Sequence, residues 1–122
     1  MKILDLFKKN NNFVKPYIIA EAGVNHECNM QKAFKLIKNA KDGGADAIKF
    51  QTYKADELAS KFSPAYWDLK KEKTKNQNEL FKKYDKFDEN HYKILKKYCD
   101  KIKIEFLSTP FDFNSARFLS KL

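Results

Sequence analysis

The chain has few of the residues that build disulfide-stabilised or metal-bound scaffolds. It contains two cysteines in 122 residues, Cys28 and Cys99, which lie far apart and outside any metal-type spacing. Two isolated thiols are typical of a reducing compartment, so we expect a cytoplasmic protein. Arginine is scarcer still, because Arg117 is the only one among 25 basic residues. Since arginine supplies the planar fork that recognises phosphate and guanine, this scarcity argues against a sequence-specific nucleic-acid binder.

Long apolar runs are also missing. No run approaches the roughly 20 residues that a membrane span needs. The N-terminal stretch MKILDLFKK has an acidic residue inside a very short apolar segment, which is unlike a signal peptide. The sequence therefore predicts neither a membrane span nor a secretion signal. The formal charge of +9 comes almost entirely from lysines, which we interpret as the solvated surface of helices.

What the sequence does contain is three short apolar runs that each end in a polar cluster. A continuous apolar run is typical of a buried parallel strand, and enzymes built from such strands collect their chemistry at the carboxyl ends. The pattern therefore predicts an α/β fold with a candidate site at one edge of the sheet. The polar residues that end the runs are Glu21, Asn25, Lys49, Gln51, Ser108 and Thr109.

Helical periodicity separates the three runs. Asn29 is a suitable N-cap for a first helix and Asp88 for a later one, with Phe87 and Tyr92 at hydrophobic-staple spacing. The predicted helices cover residues 30–42, residues 78–84, a stretch that begins at Asp88, and residues 112–122, and the second and third strands are predicted at residues 47–50 and 103–107.

Two segments do not fit this alternation of strands and helices. Residues 1–16 are predicted to form a hairpin, with strands at residues 3–7 and 13–14 around the turn-forming asparagines 10–12. The lysine-rich residues 54–77 mix turn residues with large aromatics, so we predict an ordered excursion over the catalytic edge, with disorder as the alternative. The order is then a hairpin followed by three β/α units.

Three β/α units are fewer than half of a (β/α)8 barrel, which needs about 250 residues. A small parallel sheet does not persist with both faces uncovered. The sequence therefore predicts either a three-stranded sheet domain or the front part of a larger enzyme.

Lys49 is the most informative single residue, because burying an unpaired charge inside an apolar strand costs several kcal/mol of stability. Three interpretations stay open: an anchor for phosphate or another anion, a structural ion-pair partner, and a Schiff-base nucleophile. Glu21 also lies between apolar neighbours, which suits either a general acid or base with a shifted proton affinity or a plain salt bridge with Lys49.

The remaining polar residues fit a phosphorylated and hydroxylated substrate. Ser108 and Thr109 precede a predicted helix and could bind phosphate with backbone amides, or could simply form the turn before Pro110. Asn25 and His26 lie in a loop where an amide and an imidazole could contact a polyhydroxylated substrate, and a lone histidine is more often structural than a metal ligand.

At these residues the sequence closely resembles the N-terminal part of the sialic acid synthase family. The resemblance covers residues 17–122, and its strength comes from the order and spacing of four motifs. They read IIAEAGVNH at residues 18–26, GADAIKFQT at residues 44–52, ELFKK at residues 79–83 and FLSTPFD at residues 106–112.

The resemblance implies that residues 17–122 are the first three units of an incomplete TIM barrel. Such a barrel condenses phosphoenolpyruvate with N-acetylmannosamine or a related N-acetylhexosamine and releases phosphate. By motif, Glu21 matches the family's acid or base, Lys49 and Thr109 match phosphoenolpyruvate contacts, and Gln51 matches a sugar contact. Asn76 or Asn78 lies near a further sugar contact of the family.

The resemblance also implies Mn²⁺ or Mg²⁺ and a homodimer for the full-length family. Because the family's metal-binding histidines lie on later strands, we expect no metal ligands in this chain, and we expect it to be inactive and poorly folded alone. Two other classes stay open: another phosphoenolpyruvate-utilising or Schiff-base barrel aldolase, and a basic module that binds anions or nucleic acid.

Overall fold

A three-stranded parallel sheet organises the protein in the computed structural model, which describes residues 2–7 and 16–122. The strands are β1 (Ile19–Gly23), β2 (Ala47–Thr52) and β3 (Glu105–Pro110), in the order β1-β2-β3. The helices are α1 (Met30–Asp42), α2 (Ala55–Leu58), α3 (Gln77–Tyr84), α4 (Glu89–Ile102) and α5 (Phe113–Leu119). The prediction of an α/β fold with a parallel sheet is confirmed.

One face of the sheet is covered by helices and forms the hydrophobic core. Because side chains alternate along a strand, Ala22, Ile48 and Phe50 point to this covered face, where each is at most 2% exposed. The helices α1 and α4 contribute the opposing apolar surfaces. The core residues from outside the strands are Ala33, Ile37, Phe87, Tyr92, Leu95, Cys99 and Ile104.

The predicted helix starts are confirmed, because short-range hydrogen bonds define them. The Asn29 side chain accepts from the backbone N–H of Lys32 at 3.0 Å and begins α1. Asp88 begins α4 and forms a reciprocal capping box with His91. The ring centroids of Phe87 and Tyr92 lie 6.0 Å apart, as the staple spacing predicts.

The N-terminal hairpin prediction is wrong in its first half. Ile3–Phe7 forms a 3₁₀ helix instead of a strand. The Ile3 backbone N–H donates to a carboxylate oxygen of Glu105 at 2.5 Å, and the Tyr17 hydroxyl bonds to the same carboxylate. A distant carboxylate thus satisfies the start of this helix, which local propensity does not reveal. The predicted second strand, at residues 13–14, lies outside the described residues.

The third strand begins two residues later than predicted, at Glu105. Lys103 adopts the left-handed conformation with φ of 59° and ends α4, so it cannot begin an extended strand. At the other end of the chain, Phe118 and Leu122 pack against the core.

The excursion after β2 is ordered, as predicted. It contains α2 and a short antiparallel bridge between Pro64 and Asn76. The indole N–H of Trp67 donates to the carbonyl of Thr74 at 3.2 Å and closes the intervening turn. Among residues 2–7 and 16–122, no helix is both long enough and apolar enough to cross a membrane.

Candidate active site at the carboxyl edge of the sheet

The face of the sheet opposite the helices, called the open face below, carries the charged strand residues and part of the polar ones. In the strand register Glu21 lies beside Lys49, and Gln51 lies beside Thr109. Alternation places all four side chains on the open face, near the ends where the strands leave the sheet. The predicted convergence at this edge is therefore present.

Lys49 is the centre of the arrangement. Its Nζ lies 2.5 Å from Glu21 Oε2 and donates to Thr109 Oγ1 at 3.3 Å. The two charged side chains are 32% and 46% exposed, so the ion pair is open to solvent and to a ligand. An ammonium has three donors, and one fixed cation between a carboxylate and a hydroxyl can hold an anion while the carboxylate exchanges a proton.

Gly23 leaves the space between Glu21 and Gln51 open. Its φ of +53° lies in the left-handed region, and the register of β1 against β2 shifts between Glu21 and Gly23. A Cβ at this position would lie 3.4 Å from Glu21 Oε1 and 3.5 Å from Gln51 Nε2. The glycine therefore keeps the carboxylate and the amide uncovered at the end of β1.

Ser108 does not join Thr109 in a shared phosphate site. Because it lies between Leu107 and Thr109 in β3, its side chain points to the helix-covered face. There Ser108 Oγ and Thr52 Oγ1 share a hydrogen bond of 2.6 Å. The pairing of Ser108 with Thr109 around one phosphate is thus corrected by the alternation of the strand.

The three predicted asparagines lie in the turn after β1 and in or next to α3. Asn25 is exposed in the turn after β1. Asn76 caps α3 by accepting from the backbone N–H of Glu79 at 2.8 Å. Asn78 is 4% exposed, and its amide nitrogen donates to the carbonyls of Ala55 and Ala59. Their contact with a sugar stays a prediction for Asn25, Asn76 and Asn78, while the structure assigns the amide nitrogen of Asn78 to holding α2 on α3.

His26 is fully buried, so its structural interpretation is confirmed and the interpretation in which the imidazole faces a substrate is not. The ring is fully buried and stacks on Phe87 at 4.4 Å, with Phe50 at 5.8 Å. Its Nδ1 accepts from the backbone N–H of Cys28 at 3.1 Å. Burial lowers the pKa of His26 from 6.5 to about 4, so the imidazole is neutral at physiological pH.

Sequence reasoning missed two residues behind the site, Thr52 and Tyr92. The Tyr92 hydroxyl donates to the carbonyl of Gln51 at 3.0 Å from the covered side. Alternation along β2 could have placed Thr52 beside Ser108. No local signal pairs Tyr92 with Gln51, because they come from elements 41 residues apart in sequence.

Within residues 2–7 and 16–122, no group of three or more histidine, cysteine, aspartate or glutamate side chains could hold a metal ion. The divalent metal that the resemblance implies for the full-length family stays a prediction.

Comparison with known proteins places this chain in a recognised family. Residues 36–122 match the NeuB family. The chain is 43% identical over 108 residues to the N,N'-diacetyllegionaminic acid synthase of Legionella pneumophila, covering 87% of this chain and 30% of that protein. It is 33% identical over 109 residues to the N-acetylneuraminate-9-phosphate synthase of Drosophila melanogaster, covering 87% and 28%.

A solved structure shows the same fold. The N-acetylneuraminic acid (sialic acid) synthetase of Leptospira borgpetersenii, in complex with citrate, matches with a TM-score of 0.68 and 32% identity. The match covers 86% of this chain and 32% of that one. The chain thus spans about a third of the length of the relatives it matches. With this match, the family match and the 43% identity to a synthase, the chain belongs to the NeuB family.

Proposed function

We propose that the chain is the N-terminal part of a nonulosonate synthase, whose barrel condenses phosphoenolpyruvate with an N-acetylated hexosamine and releases phosphate. The observation that carries this proposal is Lys49 in contact with both Glu21 and Thr109 at the carboxyl edge of the sheet. Membership of a family whose relatives are named as synthases supports it.

Lys49 and Thr109 are suited to hold the anionic substrate. Phosphoenolpyruvate carries a phosphate and a carboxylate, and a fixed ammonium with a neighbouring hydroxyl can neutralise and orient one of them. The lysine is already positioned by Glu21, so little side-chain freedom is lost when the anion binds. Lys49 can therefore be both the ion-pair partner of Glu21 and the anchor of the anion.

Glu21 is suited to proton transfer in the condensation. The methylene carbon of phosphoenolpyruvate forms a bond to the aldehyde carbon, and the aldehyde oxygen takes up a proton. Water then adds to the neighbouring carbon and loses a proton, and the C–O bond to phosphate breaks. Protons must therefore be delivered and removed near the reacting carbons, which is the work of a positioned carboxyl group.

The Gln51 side chain lies on the open face, opposite the Thr52 side chain, and we propose that its amide contacts the sugar. N-acetylated sugars present amide and hydroxyl groups, to which a side-chain amide can both donate and accept hydrogen bonds. Because the chain is 43% identical to a diacetyllegionaminic acid synthase and 33% identical to a neuraminate-9-phosphate synthase, diacetamido sugars are the acceptors to test first. The divalent metal and the homodimer stay predictions from the resemblance.

A chimera tests the proposal. Residues 17–122 replace the matching segment of the Legionella pneumophila synthase, and phosphate release from phosphoenolpyruvate is measured with each acceptor sugar. We expect turnover, and we expect Lys49→Met to lower it about a hundredfold, because charged hydrogen bonds contribute about 1.5–3 kcal/mol each. Lys97→Met, which removes the same charge from the exposed side of α4, is the matched control and should change turnover less than about twofold.

A folded chimera with no phosphate release would contradict the proposal. Borohydride reduction with a carbonyl substrate separates the aldolase alternative, because only a Schiff base at Lys49 is trapped as a covalent adduct. Binding of DNA or RNA that weakens with salt and survives Lys49→Met would instead support a basic binding module.

A further inference from the structure

A group of buried hydroxyls lies directly behind the candidate site, on the helix-covered face. Thr52 and Tyr92 are 6% and 5% exposed, and Ser108 is half-buried. Thr52 Oγ1 and Ser108 Oγ share a hydrogen bond of 2.6 Å between β2 and β3. The Tyr92 hydroxyl, on α4, lies next to Thr52, because it bonds to the backbone of the preceding residue. Residues of three elements thus meet around Thr52.

The same group is attached to the backbone of the site. The Tyr92 hydroxyl donates to the carbonyl oxygen of Gln51 at 3.0 Å. Burial raises the pKa of Tyr92 to about 12, so the hydroxyl keeps its proton and remains a donor at every physiological pH. Ser108 is the residue immediately before Thr109 in β3. The group therefore bonds to the backbone of Gln51 and includes the neighbour of Thr109, and both of these residues have side chains on the open face.

The ladder between β1 and β2 ends where this group begins. The pairing of β1 with β2 stops at Gly23 and Phe50, so Gln51 lies beyond the last residue that β1 supports. The ladder with β3 continues through the pairs Gln51–Thr109 and Thr52–Pro110, and the Phe111 backbone N–H donates to the Thr52 carbonyl at 3.1 Å. Beyond the end of β1, the Gln51 carbonyl accepts from the buried Tyr92 hydroxyl instead.

We propose that Tyr92, Thr52 and Ser108 form a positioning network behind the candidate site. Through the ends of β2 and β3, the network holds the side chains of Gln51 and Thr109 in the orientation that binds substrate. The role in binding rests on the proposed function, whereas the ordering of the two side chains does not. The three residues are positioning residues, since none of them reaches the open face.

A positioning role and a purely structural role have different consequences. A hydrogen bond that is only structural stabilises the whole fold, and its removal lowers the free energy of unfolding without selectively changing the open face. A positioning network instead changes the order of Gln51 and Thr109 when a single hydroxyl is lost and the rest of the core is unchanged. The two roles are separated by observing those two side chains directly.

Nuclear magnetic resonance of the chain itself makes this measurement. The side-chain amide signals of Gln51 and the methyl signal of Thr109 are compared in Thr52→Val, which removes the hydroxyl, and Thr52→Ser, which keeps it. Tyr92→Phe is paired with Tyr98→Phe, which removes a hydroxyl from the same helix outside the network. Each sample is also titrated with phosphoenolpyruvate.

We expect Thr52→Val and Tyr92→Phe to shift and broaden the Gln51 and Thr109 signals and to weaken phosphoenolpyruvate binding about tenfold, the effect of one well-placed hydrogen bond. Thr52→Ser and Tyr98→Phe should leave the signals in place and binding within about twofold. If Thr52→Val fails to fold, Ser108→Ala removes the same hydrogen bond without adding volume and takes its place.

Unchanged Gln51 and Thr109 signals in a folded Tyr92→Phe and Thr52→Val would overturn the network, as would an equal change in Thr52→Ser. The outcomes also separate the two proposals. If the parent chain does not bind phosphoenolpyruvate but the Gln51 signals respond to the substitutions as expected, the network is supported and the proposed function is contradicted. If binding is normal in every variant and the signals do not respond, the network is wrong and the proposed function stands.

Discussion

The two faces of the three-stranded sheet differ in what covers them. On the helix-covered face Phe50 is fully buried and Ile48 is 1% exposed, and α1 and α4 pack against both. On the open face Ile19 is 40% exposed, and the ion pair of Lys49 with Glu21 is open to solvent. Neighbouring residues of one strand therefore have different surroundings, with burial in the core on one side and exposed charge on the other.

This difference gives an expectation for every strand residue. A substitution on the covered face should change the free energy of unfolding, and a substitution on the open face should change binding or turnover with little effect on unfolding. The polar groups Thr52, Ser108 and His26 are the exceptions that test the separation, because they lie on the covered side.

Phe50→Ala should have the largest effect. Removing a fully buried aromatic side chain from the centre of the core leaves a cavity and costs about 3–5 kcal/mol of the free energy of unfolding. Phe62→Ala is the matched control, because Phe62 is 94% exposed and its loss should cost less than about 0.5 kcal/mol. Urea unfolding of both variants checks this, and similar costs for the two would break the comparison of the faces.

His26 should make the covered face sensitive to acid. The unfolded chain binds a proton on this histidine near pH 6.5, whereas the folded chain does so only near pH 4, because burial lowers the pKa. The contribution is therefore fully present above pH 6.5 and is lost as the pH falls from about 6.5 to about 4, to a total of about 3 kcal/mol.

Unfolding by urea at pH 7 and pH 4.5 measures this effect in the parent chain and in His26→Gln, which cannot take up the proton. The difference between the two pH values should be smaller in His26→Gln. The same substitution at the partly exposed His91 serves as the control. An equal loss of stability in parent and His26→Gln would show that the acid sensitivity comes from the carboxylates instead.

Glu21→Gln should have the smallest effect on stability. Its ion pair with Lys49 is 46% and 32% exposed, so solvent screening limits its contribution to less than about 1 kcal/mol. Turnover in the chimera should nevertheless fall about a hundredfold or more, because the amide cannot transfer a proton. Loss of stability together with turnover would show that Glu21 is structural and would remove the main distinction between the faces.

Much of the fold and part of the site could be predicted because the signals are local. Asn29 and Asp88 cap helices through side-chain bonds to residues three positions ahead, so sequence spacing alone identifies them. The convergence of Glu21, Lys49 and Thr109 follows from strand alternation and the rule that parallel strands deliver their ends to one edge.

Two of the failed predictions involve partners that are distant in sequence. The 3₁₀ helix at Ile3–Phe7 depends on Glu105, which is 102 residues away from Ile3. His26 was expected in an accessible loop, but Phe87 stacks on its ring and buries it. In both cases the local residue pattern was compatible with several conformations, and a tertiary contact selected one of them.

The sequence by itself determined the alternating strands and helices, the polar residues at the strand ends and the family motifs. These depend on the period of the side chains and on neighbours within a few residues. Only the tertiary structure decided that Phe87 stacks on His26 and buries it and that Tyr92 reaches Gln51 from behind. A strand has two faces, and which hydroxyl is buried depends on the helix that packs against it.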